Sequence, residues 1–136
     1  MRRKILVVDD DDAVREVTQA TLEMLSGWRV RTARSGKEGI QLASEDPPDA
    51  ILLDVMMPDM DGPATLRWLA SGPATREIPV LFLTAKVQPA DVRRLRQLGA
   101  MGVIAKPFDP LQLAHAVAAA LGWDAEQGAI EERQLS

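Results

Sequence analysis

Three aspartates, a threonine and a lysine stand at the ends of short apolar runs in this chain. Ile5-Leu6-Val7-Val8 runs into Asp9-Asp10, and Ala50-Ile51-Leu52-Leu53 into Asp54. Val80-Leu81-Phe82-Leu83 runs into Thr84, and Val103-Ile104-Ala105 into Lys106-Pro107. Brought to one place, three carboxylates repel one another and need positive charge nearby. Lys106 supplies one charge, and a bound divalent cation supplies more. Hard oxygen donors that leave room for water suit Mg²⁺. A carboxylate nucleophile surrounded by metal, amine and hydroxyl is the setting an aspartyl phosphate requires, because the equatorial phosphoryl oxygens need neutralisation and hydrogen bonds. Each residue alone has a plainer reading. A single Asp after a strand is usually a turn or a cap, as is Thr, and Lys-Pro is usually a turn. All five at the ends of buried runs favour the chemical reading. Asp11 and Asp12 stay with the plain one, solvent and helix capping.

The elements that must position these residues are legible from periodicity. The four runs are nearly continuous rather than alternating, which marks strands buried on both faces of a parallel sheet. Trp28-Arg29-Val30-Arg31-Thr32 alternates and reads as a half-exposed edge strand. Helical spacing links Val14, Val17, Thr21 and Met24 after Asp12 as cap, with Gly27 as the stop. Ile40 and Ala43 mark a short helix from about Gly36, ended by Pro47-Pro48, and Leu66 and Leu69 another after Gly62-Pro63. Val92, Leu95 and Leu98 share a helix face before Gly99. Leu111, Ala114, Val117 and Leu121 share one between the cap Asp109 and Gly122, which leaves Leu113, Ala116 and Ala120 off the core stripe. Strand and helix alternate five times, so the fold class is α/β with right-handed crossovers. The edge character of the second strand gives the flavodoxin-like order 2-1-3-4-5 in a doubly wound (βα)5 sheet. Ligands bind at the carboxyl ends of such strands, where the five residues lie. Residues 1–122 form the domain; 123–136 read as a C-terminal tail, with a frayed helical extension as the alternative.

Bulk properties narrow the function classes. The 136 residues suit one domain with one core, and 46% apolar with 26% charged residues is globular composition. A net charge of −4 argues against non-specific contact with nucleic acid or acidic membranes. There is no Cys, which excludes disulfides and thiolate metal sites. No apolar run approaches the roughly 20 residues of a bilayer span, and the N-terminal run is too short for a signal peptide. The expectation is a cytoplasmic chain. No Gly-x-x-x-x-Gly-Lys-[Ser/Thr] or Gly-x-Gly-x-x-Gly stretch points to a nucleotide site.

With those residues in view, the chain resembles, from about Lys4 to Leu121, the receiver domain of bacterial two-component response regulators, the CheY-like superfamily, in single-domain form. The matching stretches are Ile5-Leu6-Val7-Val8-Asp9-Asp10, Leu52-Leu53-Asp54-Val55-Met56-Met57-Pro58-Asp59-Met60-Asp61-Gly62, Leu83-Thr84-Ala85 and Lys106-Pro107-Phe108. The resemblance implies that Asp54 is the phosphoacceptor. It implies that Asp10, Asp54 and the main-chain carbonyl of Met56 bind Mg²⁺ directly, with Asp9 helping through a metal-bound water. It gives Lys106 and Thr84 to the phosphoryl group, Thr84 moving toward it, and Gly62 to the turn before the third helix. It implies a typically cis Lys106-Pro107 bond. The family often has an aromatic three positions before the lysine; here it is Val103, so the resemblance says less about how the signal leaves the site.

The implied partners are a histidine kinase or histidine phosphotransfer protein as donor and a downstream protein target, without nucleic acid or membrane. Monomer or weak homodimer is the expected state. The output face is the fourth helix, fifth strand and fifth helix, where Arg93, Arg94 and Arg96 cluster; a solvated helix face is the simpler account of that cluster. His115, the sole histidine, reads as a surface or groove residue rather than a phosphodonor, and Trp68 and Trp123 as packing or partly exposed aromatics. A rival reading is a phosphohydrolase resembling the haloacid dehalogenase group. Those enzymes place a second Asp two residues after a nucleophile on the first strand, whereas Asp54 is followed by Val55-Met56 on the third.

Overall fold

A computed structural model describes residues 2–123. Five strands alternate with five helices: β1 Lys4–Val8, α1 Asp12–Ser26, β2 Arg29–Ala33, α2 Gly36–Glu45, β3 Ala50–Asp54, α3 Gly62–Ser71, β4 Val80–Thr84, α4 Pro89–Gln97, β5 Gly102–Ala105 and α5 Pro110–Leu121. The strands form one parallel sheet in the order β2-β1-β3-β4-β5, as expected. The tail assigned to 123–136 falls outside the described residues from 124 onward.

Each central strand buries both faces, which is why its sequence is continuously apolar. Ile5, Val7, Leu52, Leu81 and Leu83 meet Leu22 of α1 and Leu113, Ala114 and Val117 of α5. Leu6, Val8, Ile51, Leu53 and Phe82 meet Ala43 of α2, Leu66 and Leu69 of α3 and Leu95 of α4. Each fully buried Leu or Ile stabilises the fold by roughly 1.5–3 kcal/mol relative to exposure.

Three helices, α1, α4 and α5, differ from the periodic reading. Asp11, not Asp12, caps α1: its side chain accepts from Val14 N. The buried residues of α1 are Thr18, Leu22 and Ser26, while Val17 and Met24 are exposed. Of the two polar residues on the packed face, Ser26 hides its polarity by donating Oγ to the Leu22 carbonyl, whereas Thr18 Oγ1 is buried without a hydrogen-bond partner among the described residues. In α4 only Leu95 is buried; Leu98 is exposed. In α5 the packed residues are Leu113, Ala114, Val117 and Ala118, with Ala120 partly buried against them, so Leu113 is core and Leu111 is the exposed leucine. The cap Asp109 accepts from Leu111 N, as expected.

Two glycines end helices in the left-handed region, Gly27 at φ 73° and Gly122 at φ 76°. Beyond Gly122, Trp123 packs edge-on to Trp28 with ring centroids 5.6 Å apart, and Arg3 lies 4.2 Å over its ring. This contact ties the end of α5 to the amino ends of β1 and β2.

Candidate functional site

Parallel register lines up the carboxyl ends of the central strands. Val8 pairs with Leu53 and Asp54 with Leu83, so Asp9, Asp54 and Thr84 leave the sheet at one edge. Asp9, Asp10 and Asp54 can each bring one carboxylate oxygen within 4.8 Å of the others. Asp9 and Asp54 are buried, and Asp10 is exposed. Lys106 reaches in from the end of β5, with Nζ 2.9 Å from Asp9 Oδ2 and 3.5 Å from Asp54 Oδ1. The Lys106-Pro107 peptide is cis.

Charge is not balanced in this pocket. Burial and then the charge of Asp9 push the Asp54 carboxyl up to about 6, against the pull of Lys106 and of the Met56 amide. Burial alone would lower the Lys106 pKa, but its hydrogen bond to Asp9 and the charges of Asp9 and Asp54 raise it overall. Three carboxylates face one amine. That all-oxygen donor set, partly open to water, fits a small hard divalent cation such as Mg²⁺.

Main-chain groups hold the pocket's shape. Asp11 N donates to Asp9 Oδ1 at 2.9 Å, and Met56 N to Asp54 Oδ1 at 3.4 Å. The turn after β3 brings Gly62 N to the Val55 carbonyl at 2.9 Å, through Asp59 at φ 67°. The left-handed residue of that turn is Asp59, so Gly62 is needed for close approach rather than for the backbone conformation expected of it. A β-carbon there would lie 2.5 Å from the Asp54 carbonyl oxygen and 2.9 Å from the Phe82 ring. Thr84 lies near the carboxylates without bonding them; its Oγ1 accepts from Lys86 N at 3.1 Å.

Arg15 was not singled out in the sequence. Its Nη1 donates to the Asp9 carbonyl at 2.7 Å, and its Nη2 pairs with Asp12. The guanidinium braces the loop that carries Asp9 and Asp10. An i,i+3 spacing from Asp12 was the available signal, though not for the contact with Asp9. Val103 is partly buried against the core, as its strand-core reading has it, and His115 is exposed.

Comparison with known proteins agrees with this geometry. Residues 5–118 match the family described as the response regulator receiver domain. The chain belongs to that family. The receiver domain is 41% identical over 113 residues to the response regulator PleD of Caulobacter vibrioides, covering 83% of this chain and 25% of that protein. It is 39% identical over 113 residues to the alkaline phosphatase synthesis transcriptional regulatory protein PhoP of Bacillus subtilis, covering 83% and 46%. It thus spans between a quarter and a half of the length of these relatives. The chemotaxis protein CheY4 of Vibrio cholerae superposes with a TM-score of 0.83 at 30% identity, covering 88% of this receiver and 99% of that chain. A response regulator of Chloroflexus aurantiacus, termed putative, gives 0.80 at 34%, covering 90% and 99%. The receiver is therefore a two-component signalling domain of the CheY-like fold. Among its described residues no helix is long and apolar enough to cross a membrane.

Proposed function

We propose that this receiver is a cytoplasmic phosphoacceptor in a two-component relay, with Asp54 as the residue modified. The donor is a histidine kinase or histidine phosphotransfer protein, and the output is contact with a downstream protein through α4, β5 and α5. The observation that carries this reading is the convergence of Asp9, Asp10 and Asp54 within 4.8 Å beside Lys106. Structural needs alone do not explain three carboxylates sharing one amine at one strand edge.

Asp10, Asp54 and the Met56 carbonyl would hold Mg²⁺ directly, with Asp9 acting through a bound water. Bound there, the cation supplies charge neutralisation for the transferring phosphoryl group. In the transfer, an Asp54 carboxylate oxygen forms a bond to phosphorus as the bond to the donor histidine nitrogen breaks. Lys106 then pairs with a phosphoryl oxygen in place of its contact with Asp54. Thr84 gives up Lys86 N as its local partner and donates its hydroxyl to another phosphoryl oxygen. The added charge is about −1.5 to −2, enough to bias which conformation the neighbouring segments adopt. The chain catalyses no reaction beyond gaining and losing its own phosphoryl group.

The test is incubation with acetyl phosphate and Mg²⁺ followed by intact mass. The expected result is a single phosphoryl adduct, absent in Asp54→Asn and absent without Mg²⁺. An adduct that persists in both controls would place the modification elsewhere and overturn the assignment.

A further inference from the structure

A groove of about 780 Å³ separates α3 from α4 and opens beside the acidic pocket. Half of its lining residues are apolar, and three of these, Met56, Pro63 and Leu98, are solvent-accessible to different degrees. Its rim carries three cations, one from each bounding segment: Arg67 from α3, Lys86 from the β4–α4 loop and Arg94 from α4. All three are exposed, and among the described residues none has a carboxylate within 4.0 Å. Two acids also line the groove, so three cations face two carboxylates and the lining is net positive. Asp61 Oδ1 caps α3 through Ala64 N at 2.8 Å, and Asp91 sits in the first turn of α4, at the positive end of that helix. The chain as a whole has a net charge of −4, so this positive rim runs against the overall charge.

We infer that the α3–α4 groove docks an acidic amphipathic segment of a partner protein. Apolar side chains of the segment lie on Met56, Pro63 and Leu98, and its carboxylates pair with Arg67, Lys86 and Arg94. Methionine suits such a lining because its unbranched, polarisable side chain adapts to different shapes. A helix or short strand laid in a groove with charged edges is a common recognition mode. Opposite charge across the contact selects acidic partners and speeds their encounter.

The groove also shares atoms with the switch. Thr84 lines it, and Thr84 Oγ1 holds the amide of the rim residue Lys86. Met56 lines it, and the Met56 amide holds Asp54 Oδ1. Resting on the reading of Asp54 as phosphoacceptor, modification redirects both Thr84 and the Asp54 carboxylate, and so changes the groove. Segment affinity then differs between the two states, and by linkage a bound segment shifts the extent of phosphorylation.

The experiment titrates the full chain, isotopically labelled, with a synthetic peptide carrying Glu and Leu at helical spacing, followed by NMR. The control is the same peptide with Lys for Glu. Acetyl phosphate and Mg²⁺ are added in a parallel arm, with intact mass read on the same samples. The expected result is shift changes confined to residues lining the α3–α4 groove and no response to the Lys peptide. Affinity falls at least tenfold in Arg67→Glu/Arg94→Glu and changes at least threefold on phosphorylation. Shifts centred elsewhere, equal response to both peptides, or no binding at millimolar peptide would overturn the docking site. If the adduct forms and affinity stays constant, the coupling is wrong. If no adduct forms, the phosphoacceptor reading fails, while the docking result stands on its own arm.

Discussion

Lys106 Nζ stands 2.9 Å from Asp9 Oδ2, across 97 residues of sequence. It is also 3.5 Å from Asp54 Oδ1, so one amine serves two buried carboxylates. Removing it leaves like charges facing each other in a partly desolvated pocket. In metal-free protein at pH 7, Lys106→Met is expected to lower stability by about 2 kcal/mol. That is below the range for fully buried pairs because the Lys106 side chain is 23% exposed. Urea unfolding in EDTA measures it, and added Mg²⁺ is expected to restore part of the loss. A variant as stable as the parent would show that the pocket tolerates its own repulsion.

The Asp54 carboxyl gives stability a particular pH dependence. Its pKa is about 6 in the folded chain against 3.8 as the ordinary value. The folded state therefore binds this proton more tightly than the unfolded state does. The contribution is most favourable below about pH 4 and is lost as pH rises through 6. In EDTA, Asp54→Asn is expected to gain about 1 kcal/mol or more over the parent at pH 7 and nothing at pH 4, because only the ionised carboxyl is penalised by burial. Paired thermal melts at the two pH values check it. A gain of equal size at both would assign the effect to something other than this ionisation.

Metal binding should separate from folding at Asp10, which is exposed. Asp10→Asn is expected to leave metal-free stability within about 0.5 kcal/mol of the parent or above it, as for most surface changes. The parent should gain about 1.4 kcal/mol when free Mg²⁺ reaches roughly ten times its dissociation constant. The variant should show little of that gain. Melting curves against Mg²⁺ concentration decide the matter, and an undiminished response would remove Asp10 from the ligand set.

Two glycines offer a contrast. A β-carbon at Gly62 would lie 2.5 Å from the Asp54 carbonyl oxygen, whereas at Gly27 it would meet nothing within 4 Å. Gly62→Ala is expected to cost about 2 kcal/mol or more through overpacking, and to lower the adduct yield because Asp54 itself must shift. Gly27→Ala, at φ 73°, is expected to cost about 1 kcal/mol from backbone strain alone, with normal yield. Equal yields in the two variants would show that Gly62 does not set the position of Asp54.

The sequence by itself determined the strand ends. A strand buried on both faces must be continuously apolar, so the first polar residue after each run is marked. Asp9, Asp54, Thr84 and Lys106 were legible for that reason, and so were the sheet order and the caps at Asp109 and Gly122. Helix faces were less legible. Val17 and Thr18 of α1 both sit on plausible stripes, and only the surface offered by β1, β2 and α5 decides which is buried. The same is true of Leu111 against Leu113. Contacts that need two distant elements in one place came from the tertiary structure alone: the hold of Arg15 on the Asp9 carbonyl, the packing of Trp123 on Trp28 and Arg3, and the cationic groove between α3 and α4. Periodicity records which residues avoid water, but partner choice among them depends on the distance between elements. That distance is set only when the chain folds.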